Sequence, residues 1–107
     1  METISAKELD WYVRSGRYLI VDLRSPEDFR RGHIRGAVNV PQGSFGTELS
    51  GRRDEPVILY CERGALSMVV ARELEEKGYR TRSVVGGIRA YRGRNMVCTD
   101  GGTSVYR

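Results

Sequence analysis

The chain has 107 residues, 39% of them apolar and 30% charged, a size suited to one compact unit with a single core. These fractions exclude a wholly disordered polymer, and the lack of any unbroken apolar run near the roughly 20 residues that span a bilayer excludes a membrane helix. The basic residues outnumber the acidic ones for a formal charge of +4, but the arginines are scattered among acids, which favours small anionic ligands and provides no stripe for nucleic acid.

Ser5 stands three residues ahead of Glu8, and Leu9, Tyr12 and Val13 recur at helical spacing, which predicts a helix over 5–15 ended by Gly16. Tyr18-Leu19-Ile20-Val21 is a short apolar run that stops at Asp22, as a buried strand of a parallel sheet does. Ser25-Pro26-Glu27-Asp28 supplies a cap, a proline at the first helical position and acids in the first turn, so a short helix is expected to Arg31, closed by Gly32. Ala37 to Val40 is a second strand, and 42–54, rich in glycine, serine and charge, is a loop holding one irregular helical turn.

Val57 to Tyr60 is the clearest buried strand, and Cys61 to Leu66 separates it from a helix expected to begin near Ser67 and to end at Gly78. Thr81 to Val85 is the next strand, Gly86-Gly87 a tight turn, and Ile88 to Tyr91 the start of a last short helix. Alternation of strand and helix indicates an α/β fold with a mainly parallel sheet and right-handed crossovers. Residues 1–94 form the expected domain. In the extension, 95–107, Met96-Val97-Cys98 and Thr103 to Tyr106 flank Asp100-Gly101-Gly102 as a small hairpin or a frayed tail.

Ligands of open α/β sheets gather beyond the carboxyl ends of the strands, where the next helix also points its N-terminus. Cys61 occupies such a position. Backbone N–H groups and the helix dipole there favour a thiolate, the nucleophilic form, and Gly64 permits a loop that curls its amides around the sulfur. The bland alternative is a small buried residue that merely ends a core strand. His33, the single histidine, lies in a loop where bonding to backbone is the commoner role, so ionisation by the loop is preferred to a Cys–His pair. A cysteine-dependent phosphatase would place an arginine six positions after its cysteine to clamp phosphoryl oxygens, and that position is Ser67. Two cysteines, Cys61 and Cys98, are too few for a disulfide scaffold or an all-cysteine zinc site, and no metal is expected.

Three segments, VDLRSPEDFRRGHIRGAVNVP at 21–41, ILYCERGALSMVVARELEEKGY at 58–79 and VVGGIRAYRG at 84–93, resemble a single-domain rhodanese of the sulfurtransferase family. The resemblance implies a rhodanese-like three-layer fold with a five-stranded, mainly parallel sheet flanked by helices. It matches Cys61 to the sulfur-carrying cysteine and Glu62, Arg63, Gly64, Ala65 and Leu66, with Ser67, to the active loop. Asp22 and Arg24 match a supporting Asp-x-Arg segment, Glu27 and Phe29 an acid and an aromatic with structural roles, Gly32-His33-Ile34 a fold-supporting turn, and Gly86-Gly87 a turn past the active loop. Many members carry arginine just before the serine. Here Leu66 stands there, and Arg63, the loop's only cation, is expected to substitute in part.

The implied reaction moves a sulfane sulfur from a small anionic donor, thiosulfate or a persulfide, through a Cys61 persulfide to a thiol, cyanide or an acceptor protein, with no cofactor. The competing expectation is a non-catalytic interaction module, against which Cys61 argues and for which Leu66 argues. Cys98 lies outside the resemblance and is expected to be a bystander. Met1 opens onto polar and acidic positions with no leader pattern, so a cytoplasmic location is expected.

Overall fold

The computed structural model describes residues 1–99. In chain order its elements are β1 (Glu2–Ile4), α1 (Leu9–Ser15), β2 (Ile20–Asp22), α2 (Pro26–Arg31), β3 (His33–Ile34), β4 (Val38–Asn39), β5 (Val57–Tyr60), α3 (Ala65–Glu76), β6 (Thr81–Val84) and β7 (Met96–Val97). Short 3-10 turns lie at Ala6–Glu8, Pro41–Gly43 and Gly87–Ala90. Five strands make one sheet in the order β1-β6-β5-β2-β4, with every neighbouring pair parallel. Helices flank it, as the sequence led us to expect.

Strand β5 is central, and its side chains alternate between the two faces. Ile58 and Tyr60 join Leu9, Tyr12, Ile34 and Ile88 in one core layer, whereas Val57, Leu59 and Cys61 join Val70, Ala71 and Leu74 of α3 in the other. The run Val57 to Tyr60 is therefore apolar throughout because both faces are covered. Among the described residues, no helix is long and apolar enough to cross a membrane.

The predicted caps form. Glu8 accepts the Ser5 N–H at 3.0 Å, Ser25 Oγ accepts the Asp28 N–H at 3.2 Å, and Gly16 ends α1 in the left-handed conformation.

Three differences from the sequence reading stand out. Strand β1 has no counterpart in it; this strand is three residues long and, among the described residues, sits at an edge and pairs only with β6. His33–Ile34, read as loop, pairs antiparallel with Met96–Val97. The expected second hairpin arm, Thr103 to Tyr106, lies outside the described residues. Finally, α3 begins at Ala65, two positions before Ser67, because Gly64 turns the chain directly into the helix at φ +105°.

Candidate active site

The alternation of β5 sends Cys61, the first residue beyond the strand, toward α3. The residue is 5% exposed, and two backbone amides donate to its sulfur: Gly64 N–H at 3.1 Å and Ser67 N–H at 3.4 Å. The early start of α3 makes the second contact available. Ser67 is the third residue of the helix, and amides of a first turn have no intrahelical partner. The Ser67 hydroxyl donates to the Gly64 carbonyl at 3.1 Å and shares a 2.7 Å hydrogen bond with Ser83 on β6, so the loop's exit is tied to the sheet.

The turn Gly86-Gly87 holds the same loop from behind. Ile88 N–H donates to the Cys61 carbonyl at 2.9 Å and Arg89 N–H to the Glu62 carbonyl at 3.2 Å. Gly87 has φ +63°, and a β-carbon there would sit 2.5 Å from both carbonyl oxygens. At Gly64 a β-carbon would come within 3.1 Å of the Gly86 nitrogen. Both glycines are therefore required by conformation and by close backbone approach.

Asp22, fully buried, and Arg24, 6% exposed, lie beside this loop at the end of β2. The Arg24 guanidinium grips the carboxylate in a fork, with Nη2 to Oδ2 at 2.8 Å and Nε to Oδ1 at 3.1 Å, and donates to the Gly32 carbonyl at 2.5 Å. Its Nη1 is 3.5 Å from Glu62 Oε1, while Glu62 Oε2 meets Arg89 Nε at 3.2 Å. Glu62 thus bridges a buried arginine and an exposed one. Next to this cluster, burial first and the nearby Asp22 charge second push the Tyr60 phenol well above its ordinary range, so it stays a neutral hydroxyl that accepts the Ile34 N–H at 3.0 Å.

A cleft of about 610 Å³ opens over Cys61, lined by Glu62, Arg63, Ala65 and Leu66 of its loop and by Leu23 to Pro26, Asp28, Pro41 and Gln42. Its walls come from the chain beyond β2, β4 and β5. The carboxyl-edge rule that drew attention to Cys61 also applied to Leu23, Pro26, Pro41 and Gln42, which the sequence reading passed over. Ser83 and Arg89 were also missed; their roles depend on pairing across the sheet, for which the local sequence has no signal.

Arg63 is exposed at the rim and Leu66 forms part of the wall. His33 is away from the cleft: its Nδ1 donates to the Phe29 carbonyl at 2.7 Å and its ring stacks on Phe29 at 3.7 Å. This is the backbone-bonded role expected of it. Cys98, half-buried beyond β7, does not line the cleft either.

The model of the Rhodanese-like domain family matches residues 5–94. A tRNA sulfurtransferase of Desulfurococcus amylolyticus is 39% identical over 77 residues, which are 72% of this chain. The chain spans only 15% of that relative's length. Among solved structures, a rhodanese-like domain protein from Staphylococcus aureus superposes with a TM-score of 0.78 at 26% identity, covering 92% of this chain and 98% of the other. A rhodanese homolog from the thermophilic bacterium Thermus thermophilus is 32% identical, with a TM-score of 0.63 over 83% of this chain and 99% of its own.

Proposed function

This chain belongs to the rhodanese-like domain family, and from that premise we propose that it is a sulfurtransferase working through a persulfide on Cys61. One observation carries the reading: the Cys61 sulfur lies under two converging amides at the floor of an open cleft. Such donors stabilise negative charge on sulfur without reorganising during the reaction.

In the first step the Cys61 thiolate attacks the outer sulfur of a thiosulfate or persulfide donor. A new S–S bond forms, the donor's S–S bond breaks, and sulfite or a thiolate departs with the electron pair. In the second step an acceptor thiolate or cyanide attacks the outer sulfur of the Cys61 persulfide and returns the cysteine to its thiolate. The sequence needs no outside oxidant. It suits a reducing compartment such as the cytoplasm, where a free thiol persists.

In this scheme the loop from Glu62 to Ser67 holds the charge, with Arg63 at its rim attracting the anionic donor. Asp22 and Arg24 steady the loop through Glu62. The unit assigned to this chemistry is 1–94, with 95–107 an extension anchored where Met96–Val97 pairs with β3.

Intact-protein mass spectrometry tests the proposal. Wild type incubated with thiosulfate or an organic persulfide should gain the mass of one sulfur atom, and Cys61→Ser should gain nothing. No gain in wild type with either donor would overturn it in favour of a non-catalytic binding module.

A further inference from the structure

The cleft over Cys61 is larger and less charged than a small inorganic dianion requires. Thiosulfate has five heavy atoms, whereas a cavity of about 610 Å³ is of the size that encloses organic ligands. Its walls are mainly apolar, with Leu23, Pro26, Pro41, Ala65 and Leu66 lining the same cleft as Cys61. Its charged lining is two arginines, Arg24 and Arg63, against two acids, Asp28 and Glu62, and these formal charges cancel. Arg24 is moreover held in a fork by the buried Asp22 carboxylate. Apart from the amides at the sulfur, a dianion entering the cleft therefore meets little net attraction from side chains beyond the exposed Arg63. An apolar group attached to the sulfur-bearing atom would instead be removed from water against the leucine and proline walls.

We propose that the site prefers a monoanionic organic sulfane-sulfur donor, R–SO2–S⁻ or R–S–S⁻ with an apolar R, over inorganic thiosulfate, and that Leu66 is a residue that sets this preference. The inference rests on the persulfide reading above. With an aryl thiosulfonate, the Cys61 thiolate takes the outer sulfur, the sulfur–sulfur bond to the sulfonyl group breaks, and the aryl sulfinate leaves with the electron pair. The two negative charges of the reactants are conserved in the persulfide and the sulfinate.

Benzenethiosulfonate and thiosulfate form a suitable pair of probes, because both present a sulfane sulfur on an S(VI) centre and they differ in a phenyl ring against a charged oxygen. Intrinsic reactivity is separated from binding with the unreactive analogues benzenesulfonate and sulfate, scored by protection of Cys61 from alkylation. Covering about 60 Å² of ring corresponds to about ten-fold in affinity, so benzenesulfonate should protect at about one tenth of the sulfate concentration. Leu66→Arg should narrow or invert that ratio and shift kcat/KM for persulfide formation toward thiosulfate, while Leu66→Met, which keeps the wall apolar, should keep benzenesulfonate ahead of sulfate.

Equal protection by the two analogues would overturn the preference, and a Leu66→Arg ratio unchanged from wild type would overturn the role of Leu66, either result leaving persulfide formation intact. Failure of wild type to load sulfur from either donor would instead overturn the underlying sulfurtransferase reading, and the preference with it.

Discussion

Gly87 illustrates how one position controls the loop that follows Cys61. Its φ of +63° disfavours an L side chain by about 1–2 kcal/mol, and a β-carbon would also collide at 2.5 Å with the two carbonyls that anchor Cys61 and Glu62. Gly36, at φ +84°, has nothing within 4 Å of its virtual β-carbon and bears only the conformational cost. Gly87→Ala should therefore lower stability in urea unfolding by more than Gly36→Ala, which should cost about 1 kcal/mol. It should also slow sulfur loading, whereas Gly36→Ala should leave loading unchanged. The sequence marked Gly86-Gly87 as a tight turn, but the carbonyls that demand it belong to residues far away in the chain. Gln42 has φ +57° without being glycine, a strained position on the cleft wall with no local warning in the sequence. Cys61 was legible because strand end, glycine and following helix are local features.

Between elements, the buried Asp22–Arg24 pair at the end of β2 connects the sheet to the loop that follows β5. Removing one partner strands the other charge in the interior, so Asp22→Ala should destabilise the fold by about 3–5 kcal/mol. Replacing both, as Asp22→Leu with Arg24→Met, should cost clearly less than the sum of the two single changes in a double-mutant cycle measured by urea unfolding. The strands at the heart of the sheet were readable since burial on both faces leaves uninterrupted apolar runs. Strand β1 and the β3–β7 pair were not, because two or three residues contain too little pattern and their partners are distant. The start of α3 was misplaced by two residues since Ala65 and Leu66 suit a loop or a helix equally well, and it is Gly64 that decides.

For the molecule as a whole, alkali attacks through its buried phenols. Burial, reinforced by the hydrogen bond that Tyr91 donates to Asp10 at 2.5 Å, pushes Tyr91 from 10.0 up to about 12, and Tyr60 is raised as well. The folded chain keeps these protons at pH values where the unfolded chain has lost them. The stability they contribute is complete below about pH 10 and is lost as pH climbs toward 12. The urea midpoint should fall across that window, and Tyr91→Phe should flatten the fall; an identical slope would remove Tyr91 from the account. The parallel α/β architecture was legible in the order of elements, whereas the sheet order β1-β6-β5-β2-β4 depends on crossovers that no local stretch records. The carbonyls of Cys61 and Glu62 are secured by the N–H groups of Ile88 and Arg89. A growing polypeptide thus presents Cys61 before the clasp behind it can close, and the loop is tied down only when the segment beyond the last strand of the sheet has also left the ribosome.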